Sequence, residues 1–233
     1  MIFAIADTHL SCGVQKPMDI FGARWKGWTD SIIKNWCETV KDGDTVVIPG
    51  DISWGMSLDE AKADLEFIDR LPGRKIICKG NHDYWWSTVT KIRSYFKENG
   101  IESIDILYNS AFEADGKVIC GSRGWFVDEK TAPKDADYTK IVEREAGRLK
   151  LSIADGKRFD EDKERIAFFH FPPVFGDIVC EEIINVLKEN GVSRCFYGHI
   201  HGRYDIPRTF EYDGISFTIV SADYLDFKPL RIC

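Results

Sequence analysis

Five short apolar runs, each ending at a polar or glycine-led turn, constrain this 233-residue chain more than any other feature. Ile2-Phe3-Ala4-Ile5-Ala6 leads into Asp7, Val46-Val47-Ile48-Pro49 into Gly50-Asp51, and Ile76-Ile77-Cys78-Lys79 into Gly80-Asn81-His82. Ile166-Ala167-Phe168-Phe169 leads into His170, and Arg194-Cys195-Phe196-Tyr197 into Gly198-His199. Runs of this length, rich in β-branched and aromatic residues and bounded by turn residues, read as buried strands. Their polar successors then lie at strand carboxyl ends, the edge at which open α/β sheets bind ligands. All five histidines belong to these blocks: Asp7-Thr8-His9, Gly80-Asn81-His82-Asp83, His170 and Gly198-His199-Ile200-His201.

Carboxylate, amide and imidazole donors drawn from distant segments suit Mn, Fe or Zn, whereas a thiolate-rich set would indicate structural zinc. An aspartate shared by two ions can hold them about 3.5–4 Å apart, a separation that allows water activation and in-line displacement. Two dications outweigh two aspartates, so the centre stays positive and favours an anionic substrate. A lone histidine in an apolar strand is more often a hydrogen-bonded core residue, and His170 acquires its meaning from the other blocks.

The segments between strands carry helical spacing. Ile32, Ile33, Trp36 and Val40 follow Thr29-Asp30 as a cap, and Leu58, Ala61, Leu65 and Ile68 follow the Ser57/Glu60 capping box. Further helices are expected over 86–96, 139–153 and 180–190, the first aiming its amino terminus near the metals. Residues 112–120 and 210–220 read as strands turned at Asp115-Gly116 and Asp213-Gly214. The charged stretch 127–165 is read as a solvated helical insertion.

The D-x-H, G-D, G-N-H-D, H and G-H-x-H blocks, in this order from Asp7 to His201, resemble those of the calcineurin-like metallophosphoesterases. The resemblance implies an α/β fold: a four-layer α-β-β-α sandwich of two mixed sheets flanked by helices, with a dinuclear metal site at strand carboxyl ends. It also implies that Asp7, His9 and His201 hold one ion, that Asn81, His170 and His199 hold the other, and that Asp51 bridges them. His82 is then the histidine beside the phosphate, steadying the transition state or protonating the leaving alkoxide, with Asp83 orienting its imidazole.

Protein serine/threonine phosphatases of this family continue the second block as G-D-x-V-D-R-G. Gly50-Asp51-Ile52-Ser53-Trp54-Gly55 lacks that arginine, which argues against a protein phosphatase. The retromer subunit of this fold lacks the catalytic histidine, and His82 here points to an active enzyme. Gly121-Ser122-Arg123-Gly124-Trp125 and Ser221-Ala222-Asp223-Tyr224 make the chain most similar to small bacterial predicted phosphohydrolases, a likeness that supplies no substrate.

The expected function is hydrolysis of a phosphodiester or phosphomonoester by a metal-bridging hydroxide. A nuclease on the same centre is the alternative, and a non-catalytic metal-binding scaffold is a third reading. Arg123 is the candidate phosphate-gripping cation, and Tyr84 and Trp85 are candidates to line the leaving-group pocket. The loop 10–28, with Lys16, Arg24, Trp25 and Trp28, is placed to overhang the metals and stack on a base or sugar.

No linker or internal repeat divides the chain, and the expected ligands come from both ends, so 1–233 reads as one domain. A net charge of −7 disfavours tight, sequence-independent nucleic-acid binding and leaves a small phosphorylated molecule as the expected partner. Seven cysteines without a C-x-x-C pair, among them Cys78, Cys120 and Cys195 in strand-like runs, read as free thiols. Met1 leads directly into the run before Asp7, so loss of a leader there would remove a ligand. No apolar stretch is long enough to span a bilayer, and the expected location is cytoplasmic.

Overall fold

The computed structural model describes residues 1–125, 137–160 and 162–233. In chain order the elements are β1 (Ile2–Ala4), α1 (Trp28–Thr39), β2 (Thr45–Pro49), α2 (Leu58–Arg70), β3 (Arg74–Cys78), α3 (Val89–Glu98) and β4 (Ile104–Ile106). The second half carries β5 (Phe112–Ala114), β6 (Lys117–Ser122), α4 (Tyr138–Gly156), β7 (Arg165–Phe169), β8 (Val174–Phe175) and β9 (Ile178–Val179). It closes with α5 (Glu181–Glu189), β10 (Arg194–Tyr197), β11 (Thr209–Tyr212), β12 (Ile215–Ile219) and β13 (Leu230–Arg231).

Two mixed sheets result, ordered β13-β1-β2-β3-β4 and β11-β12-β10-β7-β6-β5, with β8 and β9 as a separate pair. Their inner strands run parallel, while β13, β11 and β5 are antiparallel edges. Alternation along each strand sorts the side chains into layers. Phe3, Val46, Ile48 and Ile77 face a core shared with α1, α2 and α3. Ile2, Ala4, Val47, Ile76 and Cys78 meet Ile119, Ile166, Phe168 and Phe196 between the sheets. Cys120, Ala167, Phe169, Cys195 and Tyr197 face α4 and α5. The order of layers is therefore helices, sheet, sheet, helices.

Local chemistry shifts some boundaries. The Ser57 hydroxyl accepts from the Glu60 N–H at 3.3 Å, while the Glu60 carboxylate reaches back to the Met56 N–H at 2.8 Å. Thr29-Asp30 does not cap α1, which starts at Trp28 after Gly27 in a left-handed conformation. Helix α3 starts three residues later than its spacing suggests, capped by Thr88, because the chain after His82 is held in tight turns by Tyr84 N–H to His82 C=O and Trp86 N–H to Asp83 C=O.

Helix α4 corrects the reading of 127–165 as a solvated insertion, for Val142, Ala146, Leu149 and Ile153 pack into the core beneath the second sheet. The part of that stretch at 127–136 lies outside the described residues, as does 161. All seven cysteines are free thiols. No described helix is long and apolar enough to cross a membrane.

Gly147 sits in the middle of α4, and a Cβ there would meet nothing within 4 Å. Gly147→Ala is expected to stabilise the fold by about 0.5–1 kcal/mol through the lost backbone entropy of the unfolded chain. A thermal midpoint raised by about 2–3 °C would be the reading, and a lowered midpoint would show an unseen steric cost.

Candidate metal centre

The sheets place their carboxyl ends side by side, and Ala6, which bridges to Ser221, joins the two edges. Asp7 follows β1, Asp51 follows β2, Asn81 and His82 follow β3, His170 follows β7, and His199 and His201 follow β10. Three of these residues, and His9 beside them, take positive φ: Asp7 (58°), His9 (44°), Asp51 (53°) and His199 (71°). Such conformations cost about 1–3 kcal/mol each for residues other than glycine and concentrate where function over-determines the backbone.

The donor atoms converge in two groups. Asp7, His9 and His201 offer atoms within 4.8 Å of one another, as do Asp7, Asp51 and His170. His9 Nε2 and His201 Nε2 stand 3.2 Å apart, and Asp7 Oδ1 is 3.6 Å from the latter. On the other side Asn81 Oδ1 lies 2.6 Å from His170 Nε2 and 3.0 Å from His199 Nδ1. Asp51 Oδ2 lies between the groups, 3.7 Å from His9 Nε2 and 3.5 Å from His170 Nε2.

Neighbouring groups orient the rings. A backbone carbonyl only accepts, so His170 Nδ1, 3.1 Å from Pro49 C=O, carries the proton and leaves the Nε2 lone pair facing inward. His201 Nδ1 likewise donates to the Asp223 carboxylate at 2.9 Å. Asp223 also accepts from the Gly202 N–H and the Tyr204 hydroxyl.

Charge balance tests whether cations fit. Asp7, Asp51 and Asp83 are all fully buried or nearly so, and among the described residues no Lys or Arg forms an ion pair with them. Burial raises the Asp51 carboxyl well above the ordinary range, and the Asp7 and Asp83 charges raise it further. Burial, with His201 next, holds His9 well below 6.5, and burial and His170 lower His199 to about 3. Burial opposes a charge on His201 too, but Asp7 and the hydrogen bond to Asp223 override it and push that ring up to about 10. A proton on His201 thus stands in for positive charge among neutral imidazoles and buried carboxylates, the environment that metal ions require of their ligands. The donor set of carboxylate, amide and imidazole fits a pair of Mn, Fe or Zn ions.

A family model for calcineurin-like phosphoesterases matches residues 1–203. The chain belongs to that family. It is a metal-dependent phosphoric ester hydrolase by that membership. Among solved structures, a protein of unknown function from Aquifex aeolicus is similar at 20% identity and TM-score 0.52, over 99% of this chain and 94% of that one. The phosphopantetheinyl hydrolase of Mycobacterium tuberculosis is similar at 16% identity and TM-score 0.51, over 94% and 88%. A Thermus thermophilus protein is similar at 10% identity and TM-score 0.58, over 96% and 89%. At these identities the likeness is one of fold. A comparison with curated proteins finds no match.

Other expected site residues of this phosphoesterase fall differently. The His82 ring is half-buried beside Trp54, with centroids 4.5 Å apart, and the Tyr84 hydroxyl is 3.4 Å from its Nδ1. Asp83 does not orient that ring. Its carboxylate accepts from the N–H groups of Gly80, Asp51, Ile52 and Ser53 and from the Trp85 indole, tying the turn after β3 to the turn after β2. Trp85 is buried in the first core and therefore cannot line a leaving-group pocket, whereas Tyr84 is 52% exposed. Arg123 is half-buried, its guanidinium 5.1 Å over the Phe171 ring, and its carbonyl accepts from the His170 N–H. In the loop 10–28, Trp25 is buried edge-on to His9 and His201, so it walls the centre instead of stacking on a base.

Two contributors escaped the sequence reading. Asp223 lies in the quoted Ser221-Ala222-Asp223-Tyr224 block, but nothing in the spacing pairs it with His201. Trp54 stacks on His9 at 4.8 Å, and its position three residues after Asp51 was the available signal.

Proposed function

We propose that this phosphoesterase hydrolyses a small phosphodiester or phosphomonoester at a dinuclear centre formed by Asp7, His9, Asp51, Asn81, His170, His199 and His201. The observation that carries the reading is a set of buried carboxylates whose ion pairs, among the described residues, are all with imidazoles, with the ring of His82 and the guanidinium of Arg123 flanking them. Two Mn, Fe or Zn ions, when bound, supply positive charge for an anionic ester and a water of lowered pKa.

The remaining roles belong to the chain. Asp83 fixes the Asp51 and Gly80 backbones, so that Asp51 meets both donor groups. Burial, and Lys16 after it, lower the His82 pKa, which keeps the ring neutral at pH 7. The Tyr84 hydroxyl lies 3.4 Å from Nδ1, and in the tautomer that accepts there the ring proton is on Nε2, available to an oxygen of the ester or its leaving group. Trp54 and Trp25 wall the His9 side against water. Arg123 offers the cation that the second sequence block lacks. A structural neighbour that is a phosphopantetheinyl hydrolase supports hydrolysis as the reaction.

The test is turnover of an aryl phosphodiester beside the matching monoester, using chelator-stripped protein with and without added Mn²⁺. Turnover restored by metal is expected, and the ratio of the two rates assigns the ester class. Two metals bound with neither ester hydrolysed would favour the scaffold reading. Release of nucleotides from DNA or RNA at a greater rate would favour a nuclease.

A further inference from the structure

A cavity of about 780 Å³ lies beside the metal centre, bounded by Lys79, which precedes Gly80-Asn81, and by Arg123, whose carbonyl holds the His170 N–H. Arg93, Arg144 and Arg148 complete a wall of five cations, and no acid is among its described lining residues. One buried carboxylate answers them: Glu145, 2.6 Å from Arg148 and 3.9 Å from Arg144. Among the described residues Lys79, Arg93 and Arg123 make no ion pair, and Arg123 Nε is buried without an acceptor.

Like charges gathered round one cavity repel, most strongly where burial limits screening, as at Arg123. In a chain of net charge −7 this concentration does not follow from composition. The amino terminus of the ten-residue α3 meets the same cavity, with Ser87 and Thr88 on its wall, and adds the positive end of a helix dipole. Trp86 and Tyr108 supply aromatic surface for an organic linker.

All these features ask for an anion with more charge than a single ester provides. We propose that the cavity binds a second, non-reacting phosphoryl group, so that the substrate is a small organic bisphosphate or nucleotide carrying one phosphate at the metals and another among Lys79, Arg93, Arg144 and Arg148, with Arg123 serving both sides. The inference rests on the hydrolase reading above and names its substrate class.

Adenosine 3′,5′-bisphosphate and adenosine 5′-monophosphate are suitable probes, because they differ by one phosphate. The protein is titrated calorimetrically with adenosine 5′-monophosphate and with adenosine in chelator, where only the cavity can hold a phosphate, and kcat/KM for both phosphorylated probes is measured with Mn²⁺. The wild type is expected to bind the monophosphate at least tenfold more tightly than adenosine in chelator and, with Mn²⁺, to favour the bisphosphate over the monophosphate at least tenfold in kcat/KM. Arg93→Ala/Arg144→Ala, which alters two exposed side chains, is expected to erase most of both preferences. Equal affinities for the monophosphate and adenosine in chelator, or a preference unchanged in the double variant, would overturn the proposal. If the metal-loaded protein hydrolyses neither probe nor any aryl ester while the stripped protein still discriminates, the cavity stands and the hydrolase reading fails. If aryl esters are turned over without discrimination between the probes, the cavity proposal fails alone.

Discussion

Gly80→Ala is expected to remove metal binding and, with it, metal-dependent turnover. An added Cβ would overlap both the Asp51 Oδ1 atom and the Asp51 backbone nitrogen. Neither can yield cheaply, because the Asp51 N–H donates to Asp83 at 2.9 Å and Oδ1 accepts from the His82 N–H at 2.7 Å. The approach is close from the other side as well: a Cβ on Gly50, which has φ 92°, would stand 2.7 Å from Gly80 Cα. The turns after β2 and β3 therefore touch backbone to backbone, and only glycine allows Asp51 to face both donor groups. Metal stoichiometry measured on the purified variant is the readout. Asp51→Asn adds no heavy atom and replaces one charged acceptor oxygen by an amide NH2, so loss of both ions there as well would separate the ligand's role from steric damage. Two ions retained by Asp51→Asn would sink the bridging assignment.

His82→Ala is expected to leave metal content unchanged while lowering turnover by about 100-fold or more, the usual scale for a positioned acid or hydrogen-bond donor. Such a fall corresponds to about 2.7 kcal/mol of transition-state stabilisation. The two effects separate because His82 bonds Asp51 through its backbone N–H, which alanine keeps. Its ring touches Trp54 and Tyr84 and is not among the converging donors. Wild-type rates in the variant would exclude His82 from the reaction, and loss of metal would make it a ligand or a structural support of one.

Much of the architecture was legible because it is local. Strand alternation at Ile76-Ile77-Cys78 and Phe168-Phe169 sorts residues between layers, and the capping pattern at Ser57 and Glu60 appears as expected. Helix α3 was misplaced at its start because spacing does not register that the residues after His82 are already committed to turns. The charged composition of 127–165 hid the apolar stripe of α4, which a helix needs on one face only. Asp83 was legible as a site residue but not as the carboxylate that binds four backbone N–H groups across two turns.

The sequence by itself determined which donor types are present and that each follows a strand, since apolar periodicity and turn residues are properties of neighbours along the chain. Which atoms meet was decided by the tertiary structure alone. The distances from His9 to His201, from Asn81 to His170 and from His201 to Asp223 span 192, 89 and 22 residues. They depend on how two twisted sheets align their carboxyl ends, on left-handed backbone at Asp7, His9, Asp51 and His199, and on ring tautomers set by distant acceptors. The five-cation cavity has the same origin: Lys79, Arg93, Arg123, Arg144 and Arg148 come from four separate segments that no local pattern brings together.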